Sequence, residues 1–182
     1  MLSSWGAVCS DQITPRRTPE LAAGLKKIYD QGAWWKSGAV CSWQGAFQSN
    51  TYARLHDGDT ALAVLDTHLR VAPNPNLTAK FAGMAEFQID GNLGQMAAIC
   101  EMLVQSQAGE IEFLPALPKA WPDGAVSGLR ARGGFTVDLA WKEGRLGKCL
   151  LRSDRGGEPV LRYGEATKKV SVPAHGEVAV DW

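Results

Sequence analysis

The stretch Glu86-Phe87-Gln88-Ile89-Asp90-Gly91-Asn92-Leu93-Gly94 decides the fold of this chain, because it opens the clearest helical pattern, after which, near residue 109, the hydrophobic period changes from helical to strand-like. From Leu93 onward the apolar residues Leu93, Met96, Ala97, Cys100, Leu103 and Val104 recur at i, i+3, i+4, i+7, i+10 and i+11. That spacing predicts an amphipathic helix with one buried apolar stripe. Asp90 stands just before Gly91 and the stripe, where a short polar side chain can cap the first turn. Gln105-Ser106-Gln107-Ala108-Gly109 ends the pattern.

Upstream of this stretch the chain also has a helical period. Thr18-Pro19-Glu20 opens a helix: Thr18 as cap, Pro19 at the first helical position, Glu20 at the positive end of the dipole. Leu21, Leu25 and Ile28 line its face, and Gly32 ends it. A second helix is predicted from Trp43 to Leu55, with Trp43, Phe47, Thr51 and Arg54 on one side. His56-Asp57-Gly58-Asp59 turns the chain into a third, carrying Leu62, Leu65 and Leu69. Pro73-Asn74-Pro75-Asn76 breaks it.

Downstream the period becomes two. Phe135, Val137, Leu139 and Trp141 fall on one face of a strand. Lys142-Glu143-Gly144 turns, and Arg145 to Ser153 returns beside it. Short strands are expected at Val160–Tyr163, Val170–Val172 and Val178–Val180. Helices followed by short strands predict a helical domain over residues 1–108 and a small antiparallel β-sandwich over 109–182.

Composition narrows the function classes. Lysine plus arginine equals aspartate plus glutamate at 19 each, so no field favours nucleic acid or an anionic membrane. No apolar run approaches the ~20 residues that span a bilayer, and Met1-Leu2-Ser3-Ser4-Trp5-Gly6 lacks the pattern of a signal peptide. Cys9, Cys41, Cys100 and Cys149 are too scattered for a metal site and are expected to pack as small apolar groups. Neither a metal nor a cofactor is called for.

Several segments together carry a family resemblance. Phe87-Gln88-Ile89-Asp90-Gly91-Asn92-Leu93-Gly94 is similar to the F-Q-I-D-G-N-x-G signature of glycoside hydrolase family 95, the α-L-fucosidase family. Gln12-Ile13-Thr14-Pro15, Thr18-Pro19-Glu20-Leu21, Tyr52-Ala53-Arg54-Leu55, Asp57-Gly58-Asp59, Glu101-Met102-Leu103-Val104-Gln105-Ser106, Leu114 to Pro122 and Gly128 to Phe135 follow in the family's order. The resemblance implies the last part of an (α/α)6 barrel, about four of its helices, followed by a β domain. It also implies inverting hydrolysis of terminal α-L-fucosyl or α-L-galactosyl residues from an oligosaccharide or plant or host glycan. Asp90 matches the base-side carboxylate. Nothing in the chain matches the glutamate acid, the two water-polarising asparagines or the H-x-S-H-L motif that stand upstream in the family. Two segments depart from the pattern. Ala46-Phe47-Gln48-Ser49-Asn50 replaces A-W-K-x-N, and Met84-Ala85-Glu86 replaces H-P-P.

Each residue singled out has two readings. Asp90 is a base or a helix cap. Gln88, two before it on an extended segment, is a substrate-facing amide or a structural hydrogen bond. Asn92 binds a substrate hydroxyl or holds the first turn. Glu86 reads as solvent-exposed. Trp34 and Trp35 stack on sugar or pack, whereas Trp43, Trp121 and Trp141 read as packing. His56, His68 and His175 are placed in turns and on surfaces. A non-catalytic glycan-binding module, with the β half as its surface, is the alternative to an enzyme piece, and a truncated product with no independent role is a third.

Overall fold

The computed structural model describes residues 4–32, 36, 41–71, 74–81 and 86–182. They form two compact units, Met1–Met102 and Leu103–Trp182. Helices α1 (Trp5–Val8), α2 (Pro19–Gln31), α3 (Ser42–Arg54), α4 (Gly58–Val71) and α5 (Ile89–Leu103) build the first. No helix among the described residues is long and apolar enough to cross a membrane.

The second helix in sequence starts with Pro19 and ends at Gly32, whose N–H reaches the Ile28 carbonyl at 3.0 Å. Thr18 does not cap it. Its hydroxyl is taken by the turn before, accepting from the Thr14 N–H at 2.9 Å and donating to the Gln12 carbonyl at 3.1 Å. The buried stripe is Ala22, Leu25 and Tyr29, while Leu21 and Ile28 are exposed. Two stripes share Leu25. The one carrying Tyr29 is buried because that ring meets Tyr52 edge-on, with centroids 5.9 Å apart.

The centre of the helical unit is α3. Gly45, Ala46, Gln48, Ser49, Asn50, Thr51, Tyr52 and Ala53 are all buried. Most of these are small or polar, and three of them bond to nearby carbonyls, while Gln48 Oε1 has no partner among the described residues. Ser49 Oγ donates to Ala61 O at 2.8 Å, Thr51 Oγ1 to Phe47 O at 2.8 Å, and Asn50 Nδ2 to both Ala46 O and Gly94 O at 2.8 Å. Trp43, expected in the core, is only half-buried. Arg54 closes the far end of α3. Its Nε lies 2.6 Å from Glu101 Oε2 on α5, and its terminal nitrogens donate to the last carbonyls of α1, those of Ala7 and Val8.

On α4 the core residues are Ala61, Val64, Leu65 and His68, while Leu69 is exposed. His68 is thus neither turn nor surface, though His56 and His175 do sit at turns with positive φ. Its ring fills the gap left by Gly45, where a Cβ would lie 1.8 Å from Nε2. Its Nδ1 donates to Val64 O at 2.8 Å.

The expected stripe of α5 is buried only at its end. Leu93 and Met96 are 63% and 62% exposed, and Ala97 and Cys100 are exposed too, whereas Leu103 and Val104 are buried. Before Leu103 the buried positions are Gly91, Gln95, Ala98 and Met102, one turn-spaced row on the other side. The α5 pattern also stops earlier than its spacing suggests. Val104 leaves the helix to begin β1, because Val104 and Gln105 pair with Phe113 and Glu112.

The second unit holds two four-stranded sheets. One has the order β1 (Val104–Gln105), β2 (Ile111–Phe113), β6 (Val160–Tyr163), β7 (Ala166–Lys169). The other runs β3 (Gly124–Ala131), β4 (Phe135–Lys142), β5 (Arg145–Ser153), β8 (Gly176–Val180). All pairs are antiparallel except β2 with β6. Strand β4 buries Phe135, Val137, Leu139 and Trp141 as its alternation predicts. The strand expected at Val170–Val172 falls instead at Ala166–Lys169, where the turn through Gly164 lets β7 pair with β6; Val172 makes only an isolated bridge to Gly157.

Two outcomes follow from the helical unit. The exposed row Leu93–Met96–Cys100 is a contiguous apolar face, and such faces drive association. The 182-residue chain is expected to self-associate at micromolar concentration, and Leu93→Ser with Met96→Ser to reduce that association, in sedimentation velocity. A wild-type monomer with one sharp thermal transition would refute this. Burial also holds the His68 imidazole below its ordinary value, outweighing its bonds to the Val64 and Cys41 carbonyls. The unfolded chain then binds the proton more readily, so stability falls as pH drops below about 6.5, by at most ~1.4 kcal/mol per pH unit. Denaturant midpoints between pH 7 and pH 5 should show a shallower slope in His68→Gln.

Candidate active site

The signature stretch is folded back on the segment before it. Phe87 bridges Lys80, the Gln88 N–H reaches Ala79 O at 2.9 Å, and the Phe81 N–H reaches Glu86 O at 3.1 Å. The ladder ends at Gln88, and α5 starts at Ile89. Asp90 is therefore inside the first turn and is not the cap. A carboxylate there still faces the positive end of the helix dipole.

Gln88 works at a distance. Its Oε1 accepts from Ser42 Oγ at 2.7 Å and from the Trp43 N–H at 3.0 Å. Helix α3 has no side-chain cap of its own, since Cys41 occupies the cap position. The Gln88 amide oxygen supplies that cap from 46 residues away. Asn92 uses both ends of its amide. Oδ1 accepts from the Ala79 N–H at 2.8 Å, and Nδ2 donates to Leu77 O at 3.0 Å. It thereby clamps residues 77–79 onto the start of α5.

The two glycines of the signature are needed for approach. A Cβ at Gly91 would lie 2.4 Å from Ser42 Oγ and 2.9 Å from Ala79 Cβ, and one at Gly94 would lie 2.7 Å from Ala46 Cβ. Gln88, Gly91, Asn92 and Gly94 are thus all engaged in holding α5 against α3 and residues 77–79. Asp90 differs. It is exposed, and its carboxylate has no hydrogen bond or ion pair among the described residues. Phe87, Ile89 and Leu93, each more than half exposed, surround it in sequence.

Of the other residues considered, Glu86 is exposed, and its carbonyl belongs to the ladder. Trp34, Trp35, Met84 and Ala85 lie outside the described residues. Trp141 is buried and donates from Nε1 to Trp121 O at 2.9 Å. Cys149 packs as a small apolar group, its thiol pushed up to about 12 by burial. Cys9 and Cys100 are exposed instead, the latter because it lies on the open face of α5. Among the described residues there is no group of three or more His, Cys, Asp or Glu able to hold a metal. The capping by Gln88 left no sequence signal, its partners being so remote. The row Gly91, Gly94, Ala98 was the available signal for close packing.

Residues 4–103 match the glycosyl hydrolase family 95 catalytic domain, and residues 105–181 match the glycoside hydrolase family 95 C-terminal domain. The chain belongs to glycoside hydrolase family 95. The gap between the two matches coincides with the passage from α5 to β1. The chain is similar to Alpha-L-fucosidase 2 of Arabidopsis thaliana, 40% identical over 157 residues that make up 79% of this chain and 18% of that protein. Probable alpha-fucosidase A of Aspergillus niger is 31% identical over 112 residues, 56% of this chain and 14% of the relative. Its namesake in Aspergillus oryzae is 31% identical over 126 residues, 59% of this chain and 17% of the relative. The chain therefore spans less than a fifth of the length of these family 95 relatives.

Two glycines report on the close approach of α5 to α3. Gly91→Ala is expected to cost roughly 1–3 kcal/mol by overpacking against Ser42. Gly24→Ala on exposed α2, with nothing within 4 Å of its Cβ, is expected to be neutral or to stabilise by about 0.5–1 kcal/mol. Equal urea midpoints for the two variants would remove the close approach of α5 and α3 as the reason for Gly91.

Proposed function

We propose that this chain is the C-terminal part of an inverting glycoside hydrolase of the α-L-fucosidase type, in which Asp90 is the base-side carboxylate. The observation that carries the reading is the division of labour in Gln88-Ile89-Asp90-Gly91-Asn92. Its other three polar or glycine positions are engaged within the chain, and the Asp90 carboxylate is the polar group left to meet something else. The names of the relatives support the sugar.

Inversion needs a water on the face of the ring opposite the departing oxygen. One carboxyl protonates that oxygen while the other takes the water's proton, the two standing roughly 6.5–9.5 Å apart. Asp90 suits the second role. It sits on a first helical turn fixed by the Gln88 and Asn92 amides, so the backbone beneath it is held while the carboxylate stays open. We assign Gln88 and Asn92 to this frame. The acid comes from the upstream part of the domain, whose matching segments this sequence does not contain.

The test is a chimera in which residues 4–181 replace the corresponding segment of the Arabidopsis relative. Asp90→Asn there is expected to lower kcat by a factor of about 10²–10⁴, with KM nearly unchanged, because the lost proton transfer belongs to the transition state. Asp90→Asn and Asp90→Ala should each lose no more than the ~0.3–1 kcal/mol of a first-turn charge, read as a small and similar drop in melting temperature. Near wild-type turnover in Asp90→Asn, or a folded chimera that is inactive with Asp90 intact, would remove the assignment. The 182-residue chain by itself is expected to show no measurable turnover of an aryl α-L-fucoside, the acid side being absent.

A further inference from the structure

The β unit contains a cleft of about 470 Å³, inside the roughly 300–1,000 Å³ range of small-ligand sites. Its walls include Ser106, Glu110, Arg132, Phe135, Gly157 and Glu158. They come from the hairpin between β1 and β2, the turn between β3 and β4, and the loop before β6. The floor is low because glycines cover the Phe135 ring. A Cβ at Gly133 would come within 2.8 Å of that ring, and one at Gly157 within 3.1 Å.

The charges around the cleft do not cancel locally. Glu110 is paired with Arg162 at 2.6 Å, and Glu158 with Lys169 at 2.6 Å. Both carboxylates are therefore already neutralised by their own cations. Arg132 is exposed, and its guanidinium has no hydrogen bond or ion pair among the described residues. Its backbone N–H donates to Ser106 Oγ at 3.0 Å, which orients the hydroxyl as acceptor and leaves the Ser106 proton free to donate. The lining cation without a partner among the described residues is Arg132, which offers a planar guanidinium fork, and Ser106 adds a hydroxyl proton. A guanidinium fork matches the two oxygens of a carboxylate or sulfate.

We infer that this cleft binds an anionic sugar residue of a glycan, with Arg132 gripping its carboxylate or sulfate. The saccharide part rests on the reading of the chain as a piece of a glycan hydrolase; the anionic part rests on the cleft itself.

Isothermal titration of the full 182-residue chain tests it, with tri-galacturonic acid, its methyl ester, a sulfated disaccharide and sodium acetate as probes. The expected result is binding of the galacturonide or the sulfated sugar, weakened roughly tenfold or more by Arg132→Gln at unchanged melting temperature. Which of the two binds identifies the anion. Arg132→Lys, which keeps the charge and loses the fork, should fall between. Equal binding of the methyl ester would overturn recognition of the anion. Acetate binding as tightly as the sugars would overturn the saccharide. No binding by any probe, or binding indifferent to Arg132→Gln, would overturn the site as a whole. None of these results touches Asp90, whose role is scored on turnover.

Discussion

Everything in the helical unit depends on how closely α5 can approach α3. Gly91 and Gly94 have no side chain where Ser42 and Ala46 stand, and Asn50 spans the contact to the Gly94 carbonyl. Burying such polar groups is tolerable only while each is paired, since an orphaned one costs on the order of 1–3 kcal/mol. The contact is therefore specific rather than merely apolar. A slip by one residue would unpair Asn50, move Gln88 off the α3 terminus and drive Ser42 into a side chain.

That constraint also explains why the α5 helix looks reversed. Its small row faces α3, so its large apolar row must face elsewhere. In the described residues that row is exposed, at Leu93, Met96 and Cys100. Arg54 shows the same economy. One guanidinium joins the end of α1 to α5 through α3, where three separate caps would otherwise be needed.

The surroundings of the signature residues were only partly legible in the sequence. Gln88, Asp90 and Asn92 are all polar, all within five residues, and all able to touch a sugar. Pattern alone leaves each with two readings. The structure adds that the Gln88 and Asn92 amides find backbone partners at Trp43, Ala79 and Leu77 that no local rule could name. The cap reading of Asp90 failed for a similar reason. The cap position is set by where the ladder with Ala79–Phe81 stops, and that stop is a tertiary event.

The β unit was legible for the opposite reason. Phe135, Val137, Leu139 and Trp141 alternate, and their partners on β3 and β5 are the immediately adjoining strands of the chain. A meander brings its own neighbours, so alternation in sequence becomes burial in space. The helices bring theirs from far along the chain. Leu21 with Ile28 and Leu93 with Met96 have the spacing of buried faces, yet burial went to Ala22 with Tyr29 and to Gly91 with Ala98. Helical period tells which residues share a face. Which face is covered depends on what stands beside it, and that neighbour comes from far along the chain. The same logic fixes where the reading broke between the units. Val104 continues the α5 spacing, but a strand partner at Phe113 was within reach, and pairing won over period.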